Sequence, residues 1–327
     1  MAKQYDIRIT DVKLVFLSVD TRVPLKFGSE ILTSVTCARA SVCAENENGK
    51  VGEGVGETPL SVQWVWPSVI SYEERHDALI SFSELLVPFC KSIHGSGHAV
   101  ELGHNLVFEK LPSLLTQFND RERSGLEPLP WLAALVCVSA FDIALHDAYG
   151  VVNEIPTYQS YGVKYLNFDL SRFLEPVRES VISFDGKYPS DFLILDAPDK
   201  IPVWHLVGGL DPLNKKELNG DEPVDGYPVH LEEWIERDGL NCLKIKLRGN
   251  DSEWDYNRLV AIGEIAKEMN VEHLTTDFNC TVTDPNYVNQ ILDHLKVNHP
   301  MSWDKILYVE QPFPYDLDKH RIQVHSL

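Results

Sequence analysis

Leu243-Lys244-Ile245-Lys246-Leu247, Thr276-Asp277-Phe278-Asn279 and Val309-Glu310-Gln311-Pro312 are the three short stretches on which the reading of this chain turns. Each carries a charged or polar group on or at the end of an apolar, strand-like run. On an extended strand, side chains two apart share a face, so Lys244 and Lys246 project together, as do Asp277 and Asn279. Asp277 lies 31 residues after Lys246 and Glu310 lies 33 after Asp277. Each interval is the length of one strand–helix step.

The segments between them read as those helices. Trp254 to Met269 is a helix led by Ser252, with Asp255 near the capping-box position. Thr283, Asp284 and Pro285 open the next, with Pro285 in the first turn where its missing N–H is harmless. Upstream, Val203 to Val207 reads as a strand and His230 to Arg237 as a helix closed by Gly239. Cys242 to Leu247, His273 to Phe278 and Ile306 to Val309 complete four strands. Repeated strand–helix units predict an α/β region with a parallel sheet. In a (β/α)₈ barrel the strand ends that carry Lys246, Asp277 and Glu310 face the active-site mouth. Carboxylates on successive strands there can converge on a hard cation such as Mg²⁺.

The first half of the chain has a different character. Ile7 to Val19 and Ser34 to Glu45 are strand-like, and Asn48-Gly49 ahead of Val51 predicts a hairpin. Tyr72 to Cys90 has helical periodicity, and Leu106 to Phe118 has a weaker one interrupted by Pro112. Trp131 to Tyr149 is apolar on nearly all sides, as in a buried helix, and Gly150 is placed to cap it. Residues 151–200 carry four prolines and little period, which marks a linker or an insertion. The expected organisation is an α+β domain over 1–150, that linker over 151–200, and the strand–helix region over 201–327.

Composition narrows the function classes. The 327 residues carry 29 Lys plus Arg against 49 Asp plus Glu, a formal charge of −20. Broad binding of nucleic-acid phosphates needs the opposite balance, and a polybasic membrane anchor is disfavoured too. Hydrophobic residues make up 44% of the chain and charged residues 24%, ordinary values for a folded protein with a large core. The six cysteines are scattered without a CxxC pair and the N-terminus has no apolar leader, so reduced thiols and a cytoplasmic location are expected. The longest nearly apolar run, Trp131 to Phe141, is shorter than a membrane span.

Taken in order, the three quoted stretches resemble the enolase superfamily, in particular its mandelate racemase/muconate-lactonizing branch. Ser139-Ala140-Phe141-Asp142-Ile143-Ala144-Leu145-His146-Asp147 resembles the segment before that family's barrel, and Gly52-Glu53-Gly54-Val55-Gly56-Glu57 its capping-domain loop. The resemblance covers most of the chain outside 151–200. It implies a capping domain, a TIM-type barrel and a Mg²⁺-dependent enzyme that abstracts the proton α to the carboxylate of a small-molecule substrate, by way of an enediolate. The outcome would be racemisation, epimerisation, dehydration or cycloisomerisation. Carried over by position, Asp277 and Glu310 are metal ligands, Lys246 is the acid/base, Lys244 supports it electrostatically, and Asn279 and Gln311 line the site.

The physical logic is independent of the family. The enediolate carries two negative oxygens, which a divalent cation and nearby ammoniums stabilise. Lys244 and the cation together would also pull the Lys246 pKa toward neutrality. The resemblance implies further a third carboxylate on a fifth strand and a second acid/base beyond it. Neither has a counterpart here, so about half a barrel is expected, with catalysis impaired in this chain. A non-catalytic relative acting as a binding or assembly module is the competing reading, and a homo-oligomer is left open.

Other patterns weigh less. Gly52, Gly54 and Gly56 do not make a dinucleotide fingerprint. His94 and His98 have zinc-ligand spacing but flank glycines, which favours surface histidines. Trp64 and Trp66 beside Pro67 fit a substrate lid or a loop anchored to the core equally well. No Gly-x-Ser-x-Gly or Cys–His constellation points to a nucleophile.

Overall fold

The strand-forming runs of the first half pair as a three-stranded sheet in the order β1-β2-β3. Its strands are β1 (Ile7–Phe27), β2 (Glu30–Asn46) and β3 (Val51–Pro59). The computed structural model describes residues 3–27, 30–194, 196, 198–314, 316 and 320–322. β2 and β3 are antiparallel from Cys37↔Pro59 to Glu45↔Val51. The predicted turn joins them: the Asn46 side chain accepts the Asn48 and Lys50 N–H groups, and Gly49 has a φ of 77°.

The stretch from Gly52 to Glu57 is therefore a strand rather than the loop expected from the resemblance. Its glycines serve packing. β3 lies against the long helix Trp131–Asn153, and a Cβ on Gly54 would stand 2.0 Å from Ala148 N, one on Gly56 2.1 Å from Ala140 O. Only a residue without a side chain lets strand and helix backbones approach this closely.

Five helices follow: α1 (Val62–Val65), α2 (Tyr72–Lys91), α3 (Ala99–His104), α4 (Leu111–Glu122) and α5 (Trp131–Asn153). Pro112 does not interrupt a helix. It occupies the first turn of α4, which the chain reaches from α3 through a π-helical stretch, Asn105–Lys110. α5 runs past Gly150 and is capped instead by Glu154 at φ 55°. Gly150 is needed inside the helix, where a Cβ would stand 2.9 Å from Thr157 Oγ1 and 3.0 Å from Ile155 O. By length and composition α5 could also cross a membrane, but over half of its apolar stretch is buried in this fold.

One side chain of this region, His98, departs from expectation, and another, Trp66, takes one of the two roles left open for it. His98 is fully buried and caps α3: its Nδ1 accepts the Val100 N–H at 3.1 Å. Nε2 therefore carries the proton and faces Ser160 Oγ at 3.0 Å. Burial, with His146 nearby, pulls its pKa down to about 3. His94 alone is on the surface. Trp66 is buried and donates to Glu127 at 2.7 Å, so it anchors its loop, whereas Trp64 is exposed.

Contacts divide the chain into two units, Met1–Val19 with Ser34–Ala197 and Asp20–Thr33 with Pro198–Leu327. Residues 151–197 thus fall in with the first unit, fastened by 3-10 turns such as Thr157–Ser160 and by the Asn167 amide on Asp6 and Glu101. Each unit has its own apolar core.

The second unit is the expected strand–helix alternation: β4 (Trp204–Val207), α6 (Leu231–Asp238), β5 (Cys242–Lys246), α7 (Ser252–Glu268), β6 (His273–Asp277), α8 (Pro285–Asn298), α9 (Pro300–Trp303) and β7 (Ile306–Glu310). The strands are parallel, in the order β4-β5-β6-β7. Asp251, one residue before the predicted Ser252, caps α7 by accepting the Trp254 N–H. The sheet is strongly curved. The rings of Trp204 on β4 and Tyr308 on β7 meet with centroids 6.3 Å apart. Three strand spacings on a flat sheet would separate those strands by about 14 Å.

Candidate active site

Strand register builds the site. Lys246, Asp277 and Glu310 are direct neighbours across β5, β6 and β7, and Lys244 lies one row below, beside Thr275. All four charged side chains come together on one face. Lys246 Nζ donates to Asp277 Oδ2 at 2.5 Å and to Asn279 Oδ1 at 2.7 Å. Lys244 Nζ donates to Glu310 Oε1 at 2.6 Å and lies 3.2 Å from Asp277 Oδ2. The Asp277 side chain is only 2% exposed. A carboxylate so deeply placed requires compensating charge, and the two ammoniums supply it. Burial pulls the Lys244 pKa down, but its hydrogen bonds to Glu310 and Asp277 and their charges outweigh this and hold it above the ordinary lysine value.

The segments past the strands continue the pairing. Phe278 N donates to Glu310 O, Cys280 N to Gln311 O at 2.7 Å and Val282 N to Pro312 O at 2.9 Å. Asn279, Cys280 and Gln311 take the left-handed conformation, with φ of 54°, 58° and 40°. Three such residues at adjoining strand ends form a locally strained rim, a feature that clusters at functional sites. Asn279 joins the charged cluster through its side chain. Gln311 is exposed and is tied to the site through its main-chain carbonyl.

Sequence reasoning missed the group that shapes the loop after Lys246. Asp255 is fully buried and reaches back from α7 to accept the N–H groups of Arg248 at 2.7 Å and Gly249 at 2.9 Å, with Tyr287 Oη also donating to it. Burial raises its pKa against the pull of those hydrogen bonds. Its place in the first turn was visible, but the loop it holds was not. Arg22 was missed as well. It grips Asp225 through two bonds of 2.7 and 2.8 Å and also donates to the Tyr227 and Pro228 carbonyls. Nothing in the local sequence connects residues 203 apart.

The donor set bears on a metal. Asp277 and Glu310 present hard anionic oxygens on adjacent strand ends, and a cation, the Lys244 ammonium, already lies against both. These two residues fit a shared Mg²⁺ in charge and chemistry. Among the described residues, no group of three His, Cys, Asp or Glu side chains is arranged to hold a metal ion.

No protein-family model matches the chain, and no curated protein matches it either. Solved structures do. The L-Ala-D/L-Glu epimerase from Bacillus subtilis matches with a TM-score of 0.53 at 15% identity, over 95% of this chain and 63% of that one. A dipeptide epimerase from Enterococcus faecalis, complexed with Mg and the dipeptide L-Leu-L-Tyr, matches at 18% identity and 0.53 over 95% and 63%. The N-succinyl Arg/Lys racemase from Bacillus cereus matches at 17% and 0.53 over 97% and 63%. An enolase from Bradyrhizobium, complexed with magnesium and mandelic acid, matches at 14% and 0.51 over 97% and 66%. The chain shares its fold with these epimerases, this racemase and this enolase. This chain spans less than two thirds of the length of each of these structures. Lys246, Asp277 and Glu310 meet at the C-terminal ends of three adjacent parallel strands.

Proposed function

We propose that this chain carries the first four strands of a TIM-type barrel, with the helices that join them, and the corresponding part of a Mg²⁺-dependent carbon-acid isomerase. Its substrate class is a small carboxylate with an acidic α-hydrogen, and racemisation or epimerisation is the favoured outcome. The observation that carries this reading is the Lys244–Asp277–Lys246–Glu310 cluster at parallel strand ends. The sheet curvature seen in the Trp204–Tyr308 contact supports the barrel, and the epimerases and racemase of like fold support the reaction class.

Asp277 and Glu310 would hold Mg²⁺, which supplies positive charge against the oxygens of the substrate carboxylate. Lys246, after giving up its own ammonium proton to solvent, would take the α-proton onto the neutral Nζ as the C–H bond breaks, and the electron pair would pass into the substrate carboxylate. Lys244 adds a fixed positive charge beside those oxygens. The further metal ligand and the second acid/base belong to strands beyond the four described. The six unpaired cysteines support a cytoplasmic setting.

A second reading has its own observation. The four charges sum to zero and satisfy one another, as they would in a non-catalytic relative whose network only ties strand ends together. Solvent-deuterium exchange separates the two. A polypeptide extended to the full barrel, given Mg²⁺ with dipeptides or N-succinyl amino acids in ²H₂O, should incorporate deuterium at the α-carbon. Lys246→Ala should abolish this for the stereoisomer facing that lysine and leave Mg²⁺ affinity nearly intact. Exchange at the wild-type rate in Lys246→Ala would give precedence to the non-catalytic reading.

A further inference from the structure

The Asn279 side chain is held by more bonds than a strand-end residue needs. Nδ2 donates to Leu247 O at 2.9 Å and lies 3.3 Å from Asp277 O. Both are main-chain carbonyls, so the amide has one orientation: a flipped side chain would set its oxygen against two carbonyl oxygens and its N–H groups against an ammonium. Oδ1 is thereby aimed at Lys246 Nζ, 2.7 Å away. The Asn279 main-chain N–H meanwhile donates to Asp277 Oδ1 at 2.8 Å, fixing the carboxylate whose other oxygen also holds Lys246. The φ of 54° that permits this costs asparagine less than most residues.

We propose that Asn279 is the positioning residue for Lys246: its oriented amide oxygen, backed by two main-chain carbonyls, sets where the Lys246 amine stands, independently of Lys244. The inference rests on the proposed role of Lys246, but the placement is testable without it. Lys244 takes its partners from Glu310 and Asp277 and makes no bond to Asn279, so the two lysines should respond differently. A residue needed only for folding would loosen both.

The test is competitive labelling of the full chain with acetic anhydride, read at Lys246 and Lys244 by mass spectrometry. Asn279→Gly removes the amide yet keeps the left-handed backbone, and should raise labelling at Lys246 about fivefold, the worth of one hydrogen bond, with Lys244 unchanged. Asn279→Asp keeps an oxygen acceptor but adds a negative charge beside the Lys246 ammonium, and should lower labelling at Lys246 below the wild-type level. Equal increases at both lysines, or no change at Lys246 in the folded Asn279→Gly chain, would overturn the proposal. If Asn279→Gly fails to fold, Asn279→Ser decides the matter by the same Lys246-to-Lys244 ratio. In a polypeptide that exchanges α-protons, Asn279→Gly should lower kcat rather than raise KM, and only for the isomer facing Lys246. If the wild type shows no exchange, the catalytic reading fails while the labelling ratio still decides the placement.

Discussion

Lys244 and Glu310 are hydrogen-bonded at 2.6 Å although a whole strand, β6, lies between their own. The lysine reaches over Asp277 to do so, passing 3.2 Å from its Oδ2. Curvature makes the reach short, because inward-pointing side chains converge on the concave face of a coiled sheet. The charges are therefore interdependent, and removing one exposes the others to an unbalanced field.

Asp277→Asn should accordingly destabilise the second unit more than Glu310→Gln. Asp277 is nearly inaccessible and holds both ammoniums, and removing one member of such a buried set costs about 3 kcal/mol or more. Glu310 is 28% exposed, so solvent screens what remains after its loss. Urea titration of each variant measures the difference, and equal midpoints would show that Asp277 is not the centre of the network.

Gly56→Ala should destabilise the first unit by about 3 kcal/mol, the upper range for overpacking. The added methyl would meet Ala140 O and Ala144 N, which are main-chain atoms of α5 and cannot rotate away. Thermal unfolding followed by far-UV circular dichroism reads this. A Gly49→Ala comparison, at a turn with no close main-chain atom facing the glycine, should suffer only backbone strain.

His98 makes stability depend on pH. Its folded-state pKa of about 3 lies below the unfolded value near 6.5, so the unfolded chain binds the proton first as pH falls. The stabilisation from neutral His98 is present above about pH 6.5 and is lost progressively down to about pH 3, with a slope of up to about 1.4 kcal/mol per pH unit. His98→Asn should flatten this part of the profile. Parallel wild-type and variant curves from pH 7 to 4 would contradict it.

Arg22→Ala should release the segment around Asp225 to Pro228. The Arg22 guanidinium holds the Asp225 carboxyl down to a pKa of about 2, so the contact persists through the neutral and mildly acidic range. Amide hydrogen exchange at Tyr227 and Val229 should accelerate in the variant at pH 7, while exchange in β5 and β6 stays unchanged. Acceleration across the whole unit would mean that Arg22 supports its core instead.

The elements were legible where a period or a cap is local. Strand pairs such as Lys244 and Lys246, the Asn48-Gly49 turn and the Asp284-Pro285 start of α8 depend on neighbours within a few residues, and they occur where the pattern placed them. The misreadings share a cause. Gly150 looked like a cap, Gly52 to Gly56 like a loop and His98 like a surface residue, because a small or polar residue is ambiguous until its packing partner is known. The partners of the β3 glycines, Ala140 and Ala148, and of His98, Ser160, are remote in sequence, and that of Gly150, Thr157, lies only seven residues on but past the end of the helix.

Side-chain alternation and spacing alone determined that two lysines share a face and that two carboxylates follow at strand ends one step apart, because strand geometry has a period of two whatever surrounds it. Only the tertiary structure decided that these groups touch, that Lys244 reaches across β6 to Glu310 and that Asn279 turns its oxygen toward Lys246. Those facts depend on inter-strand register and sheet curvature, which arise from packing between segments tens of residues apart.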